Sequence, residues 1–190
     1  SGWFRITGSG NESVIPTKLL MYGGSVQNHG NRIADSADIE IHGGSLLVRS
    51  GDTNSGNSGS DDFRDLTMTG GSFTQGGDGG GTCNMRSATL LGGTLTLYRS
   101  TLTTVTNDMT VAGCRINLYS NDNSARSGTR LVVVGALTVS NTVDQTAYVP
   151  INMGFSWYRN PAYLALTNKL SVIGNAVNTN AVAITRSYST

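Results

Sequence analysis

Apolar and polar residues alternate through Leu66-Thr67-Met68-Thr69, give way to Gly70-Gly71, and resume in Ser72-Phe73-Thr74. Alternation at period two predicts short strands, each with one buried face. The glycine pair predicts a sharp corner between two such strands. The unit recurs along the chain, with marker glycines at 23, 43, 70, 92, 113, 135, 154 and 174. The steps between them are 20, 27, 22, 21, 22, 19 and 20 residues. A period in this range predicts a solenoid built from stacked coils.

The alignment also predicts which residues face inward. Four positions before the marker stand Leu19, Ile39, Leu66, Ala88, Met109, Leu131 and Leu170, and two before it Met21, Ile41, Met68, Leu90, Val111, Val133 and Val172. Three after it stand Val26, Leu46, Phe73, Leu95, Ile116, Trp157 and Val177, with Leu137 joining after a one-residue deletion. Stacked coils turn each set into an apolar ladder whose backbones pair in parallel at about 4.8 Å. The expected fold is therefore all-β: a single-domain parallel β-helix (β-solenoid) of about eight coils of 19–27 residues, right-handed and almost without helix. Residues 1–17 are expected to form an N-terminal cap or degenerate first coil, and residues 18–190 the solenoid, with a loop insertion at 50–64. An antiparallel sandwich of short strands is the plainer alternative, but it does not require one motif with stacked columns.

Composition fits the stacked reading. The 190 residues include 25 glycines and 3 prolines, and only 37% are hydrophobic, which suffices for one narrow core column. The net charge of +1 and the scarcity of lysine (Lys18 and Lys169) argue against nucleic acid as a partner. No apolar run is long enough to cross a bilayer as a helix, so no membrane insertion is expected. The chain starts without Met, which is expected of a mature product or a piece of a longer protein.

Candidate chemistry is sparse. Asp52, Asp61 and Asp62 cluster in the insertion, and clustered oxygen ligands suit calcium, although a solvated turn-rich loop is the favoured reading. No other cofactor is expected. The glycine-rich stretch from Gln75 to Gly81 contains one aspartate and does not repeat, so it reads as loop. His29 and His42 read as exposed polar side chains. Cys83 and Cys114 stand 31 residues apart, and a free, buried thiol is the favoured fate of Cys114. No phosphate loop, nucleophile elbow or metal-ligand spacing occurs, so no catalytic residues are expected. Aromatics gather near both ends, as Trp3 and Phe4, and as Phe155, Trp157, Tyr158 and Tyr163. They suit capping of the core or contact with a neighbouring copy.

The motifs Leu66-Thr67-Met68-Thr69-Gly70-Gly71-Ser72-Phe73 and Thr89-Leu90-Leu91-Gly92-Gly93-Thr94-Leu95-Thr96-Leu97 resemble the autotransporter-associated β-strand repeat. The likeness runs from residue 18 to about 185 as a repeat style. It implies an exported β-helix of a bacterial secreted or surface protein, serving as an adhesin, surface layer or stalk. Within these 190 residues no membrane-barrel segment is read after the repeats, a departure from that family's pattern. The expected function is that of a non-enzymatic extracellular or cell-surface subunit that associates with itself into a filament, sheath or appendage. An adhesin fragment holding cell-surface glycans or host proteins comes second, and a polysaccharide lyase or hydrolase third. The enzyme would need carboxylates clustered on one sheet.

Overall fold

A computed structural model of the chain describes residues 3–6, 14–29, 32–49, 61–76, 81–99, 101–120, 128–140, 150–155, 162–174 and 184–187. Among them there is no helix, and the strands join one 14-stranded sheet in which each recorded pairing is parallel. In order they are β1 (Trp3–Ile6), β2 (Lys18–His29), β3 (Asp38–Arg49), β4 (Phe63–Gln75), β5 (Thr82–Tyr98), β6 (Leu102–Val105) and β7 (Met109–Ala112). There follow β8 (Arg115–Ser120), β9 (Arg130–Val133), β10 (Leu137–Ser140), β11 (Ile151–Phe155), β12 (Tyr163–Leu166), β13 (Leu170–Ile173) and β14 (Ile184–Ser187). Parallel neighbours about one coil apart in sequence, with no helical crossover, are consistent with a β-solenoid.

The strands stack in three ladders. The first starts at Phe63 of β4, paired with Met85, and continues from residues 82–85 of β5 through β6, β9 and β12. In the second, residues 18–21, 38–41, 65–68 and 87–90 lie beneath β7, β10 and β13. The third starts at β1, continues through residues 25–28, 45–48, 72–75 and 94–98, and ends in β8, β11 and β14. β1 thus adds a strand to the third ladder, and Ile15 bridges Ile33. The chain described after residue 60 is already inside a coil at Asp61, and β4 begins at Phe63, so strand reaches into the stretch read as insertion.

The inward columns form the core. Ile41, Met68, Leu90, Val111 and Val139 follow one another in register and are fully buried, as are Leu46, Phe73, Leu95 and Ile116. The glycine corners are a second stack. Gly71 has φ +69°, and a Cβ there would lie 2.7 Å from Gly44 O. Side-chain-bearing residues avoid that conformation and would collide with the coil beneath. Where Cys114 replaces the second glycine, the left-handed residue moves back to Gly113, at φ 89°, and the Cys backbone escapes the strain.

Two of the expected repeats need correction. Leu131 and Val133 pair with Thr103 and Val105 in the first ladder, not with the columns of Leu66 and Met68. Leu137 and Val139 take those places, stacked on Met109 and Val111. Gly135 therefore marks the corner between the first and second ladders, where its N–H bonds Asn107 O at 3.2 Å. Apolar alternation on both sides of a lone glycine fits either corner, and only the neighbouring coils decide. Gly154 is likewise no corner. It pairs with Tyr119 inside β11, and Ile151 fills the position over Ile116 that Trp157 was expected to hold. Ile184 comes next in that column, while Trp157 and Val177 lie outside the described residues.

Candidate functional site

The ends of the ladders are the first place where the apolar columns lose their cover. Leu170 and Val172 continue the columns of Leu137 and Val139, which are 0% exposed, yet they are 41% and 53% exposed themselves. Among the described residues no strand pairs with the far side of β12, β13 or β14. At the opposite end Phe4 pairs with Val26 in β2 and is 61% exposed. An unpaired edge of this kind offers N–H and C=O groups beside bare apolar side chains.

The residues expected at an interface divide between these ends. Trp3 and Phe4 are in β1, and Tyr163 opens β12, with the Arg130 guanidinium 5.1 Å from its ring centroid. Phe155 closes β11, one strand short of the end of its ladder. Trp157 and Tyr158 lie outside the described residues. Leu170 and Val172 were not singled out from sequence, because as core-column residues they read as buried.

The outer surface of β2–β5 carries a polar array. Tyr22 stacks on His42 with ring centroids 5.0 Å apart and planes 14° apart, and His42 Nδ1 is 2.7 Å from Thr69 Oγ1. Lys18 pairs with Glu40 at 2.7 Å. Two arginines each reach back one coil: Arg64 Nε donates to Asp38 Oδ1 at 2.7 Å, and Arg86 Nε to Asp65 Oδ1 at 2.9 Å. The Arg64 and Arg86 hydrogen bonds hold the Asp38 and Asp65 carboxyls below the usual carboxylate range. Exposed pairs such as these are screened by solvent, so they guide coil register more than they fix stability.

The interior holds polar groups too. Asn28 Nδ2 donates to Asp61 Oδ1 at 2.9 Å, and both side chains are buried. Thr103 donates to the buried Gln75. His29, expected to be exposed, is 5% exposed at the end of β2, with Arg5 Nη2 3.4 Å from its Nδ1. The turn-like composition around it concealed that β2 runs on to His29, where the coils enclose it. Asn28 and Gln75 share the inward parity of Val48 and Leu97, and that parity is the sequence signal that marks them.

Of the carboxylates read for calcium, Asp52 lies outside the described residues. Asp61 is inside the coil, and Asp62 accepts from Asn84 N and Nδ2, both at 2.9 Å. Among the described residues no group of three or more His, Cys, Asp or Glu side chains is placed to hold a metal. Cys83 and Cys114 form no disulfide and are buried, with their thiols pushed up by desolvation, that of Cys114 to about 12. Comparison with protein-family models, curated proteins and solved structures finds no match.

Proposed function

We propose that this chain is a non-enzymatic, exported structural subunit, a right-handed β-solenoid of about eight coils that stacks end to end into a filament, sheath or surface appendage. The observation that carries the reading is the exposure of Leu170 and Val172, which continue fully buried columns. A second copy stacked there would cover them and pair the open edge strands. Contact between two different ends is heterologous and does not close, so it propagates. The resemblance to the autotransporter-associated repeat supports export and a place at the cell surface. Negative-stain electron microscopy across a concentration series tests the proposal. Long unbranched fibres of constant width are expected, and isolated short rods at every concentration would overturn it.

A second reading has its own observation. Tyr22 is 75% exposed on a face that also presents His42, Glu40 and Thr69. An aromatic ring beside polar groups suits a sugar ring, as in an adhesin fragment that holds glycans. A glycan-binding screen with the wild type and Tyr22→Ala tests it. Binding that survives the substitution unchanged would remove this face from consideration.

A further inference from the structure

The interior pair Asn28–Asp61 is incompletely bonded. Asn28 belongs to β2, directly under Ile6 of β1 in the parallel register. Asp61 precedes β4, and its N–H bonds Thr82 O at 3.1 Å, which places it beside Cys83. One hydrogen bond joins the pair, from Asn28 Nδ2 to Asp61 Oδ1. The other two oxygens, Asn28 Oδ1 and Asp61 Oδ2, are buried without a partner.

Two acceptors without a donor are costly in an apolar interior, and an ionised carboxylate with a single donor is costlier. One proton remedies both defects. A protonated carboxyl has an O–H to donate, and an amide oxygen accepts it. We propose that Asp61 is held as the neutral acid in the folded chain, its Oδ2–H donated to Asn28 Oδ1, so that the two side chains close a reciprocal acid–amide pair whose ionisation loosens the coils around β2 and β4.

The surroundings agree. Burial pushes the Asp61 carboxyl up to about 7; the Asn28 hydrogen bond opposes that shift and the Asp62 charge adds to it. From β5 the neighbour is Cys83, a thiol kept neutral because desolvation, together with the charges of Asp61 and Asp62, pushes it well above its ordinary value. Among the described residues, His29 on β2 and Arg32 ahead of β3 are the other buried titratable side chains of these coils, with Arg5 of β1 against His29. The unfolded chain gives up this proton near pH 4 and the folded chain near 7, so this contribution to stability is full in acid and falls as pH rises between those values.

The test uses the full chain with 13C-labelled Asp carboxyls, followed by NMR from acid to neutral pH, with Asp61→Asn assigning the resonance. One carboxyl is expected to titrate with a midpoint of about 7 and to vanish in the variant. The urea midpoint of the wild type is expected to fall over the same interval, and that of Asp61→Asn, which carries a neutral amide throughout, to fall less. Should the variant fail to fold, the wild type alone decides by infrared spectroscopy. A protonated-carboxyl band is expected to persist at about pH 6, where ordinary carboxyls are ionised, and to be gone by about pH 8.5. An Asp61 carboxyl that titrates in the ordinary range, the absence of that band, or an unchanged pH slope in a folded Asp61→Asn would overturn the proposal.

Discussion

Leu170 lies in parallel register with Leu137, yet Leu137 is wholly buried and Leu170 is 41% exposed. The pair locates the point at which the interior column opens. If that opening is a docking surface, charge placed on it prevents docking without harming the fold, because substitutions at exposed positions usually change stability by about 0.5 kcal/mol or less. The double substitution Leu170→Lys and Val172→Lys is expected to leave the melting temperature near wild type and to abolish assembly. Sedimentation velocity at matched concentrations checks both. Assembly equal to wild type would place the contact elsewhere.

The glycine corner is a separate matter of backbone geometry. At Gly71 a Cβ would meet Gly44 O at 2.7 Å and Ile41 Cγ2 at 2.9 Å, with φ already in the left-handed region. At Gly23 a Cβ would meet nothing within 4 Å. Left-handed backbone alone costs a side-chain-bearing residue roughly 1–2 kcal/mol, and the collision adds to that. Gly71→Ala is therefore expected to lower stability by more than about 2 kcal/mol, and Gly23→Ala by less than about 1 kcal/mol. Urea denaturation of the two variants decides, and equal losses would deny the corner stack any special role.

How much of this was legible from the residues depended on redundancy. From Gly23 to Gly92 each corner has a glycine pair, and apolar alternation flanks it on both sides, so register could be read directly. At Gly135 the pair is reduced to one glycine, and Leu131-Val132-Val133 and Leu137-Thr138-Val139 fit either corner. Only pairing with Thr103 and Met109 resolves them. Asn28 was readable in principle, since it stands five residues after its marker, where Val48 and Leu97 point inward. Its partner Asp61 was not, because it lies at the edge of a long polar stretch and is set by an interior contact 33 residues away. The exposure of Leu170 was invisible for a different reason: it depends on what fails to stack above it.

Phe73 tests the core itself. It is fully buried and faces Phe63 with ring centroids 5.8 Å apart and planes 59° apart. Truncating a buried Phe removes its transfer energy and leaves a cavity, for a combined cost of about 3–5 kcal/mol. Phe73→Ala is expected to lose that much in chemical denaturation. A loss below about 1 kcal/mol would mean that this column is not packed as described.

The surface carboxylates respond to pH with the opposite sign to Asp61. The Arg64 and Arg86 hydrogen bonds hold Asp38 and Asp65 below their ordinary values, so in the folded chain they keep their charge in acid where the unfolded chain is protonated. Their contribution is present above the unfolded value near 3.9 and is lost as pH falls through the folded one. Asp65→Asn is expected to cost less than about 1 kcal/mol at neutral pH, since the pair is solvent-screened, and progressively less as pH falls from the ordinary carboxylate range through the lowered folded value. A constant cost across that range, measured by urea denaturation, would assign the effect of Asp65 to its shape or to the Ser87 hydrogen bond rather than to its charge.

The thiols supply an alkaline counterpart. Cys83 and Cys114 are both 0% exposed, and burial pushes their thiols up, that of Cys114 to about 12. The thiolate is the reactive form, so neither group is a nucleophile in the folded chain at about pH 8. An alkylating reagent is expected to leave the native chain unmodified over an hour or so and to modify both cysteines once guanidinium opens it. The same shift makes stability fall as pH rises beyond about 8.5, because the unfolded chain ionises its thiols while the folded chain does not. Mass spectrometry after alkylation counts the modified sites. Rapid native labelling of Cys83 would show that the coil beside Asp61 opens readily, whereas labelling of Cys114 alone would confine the opening to the corner at Gly113.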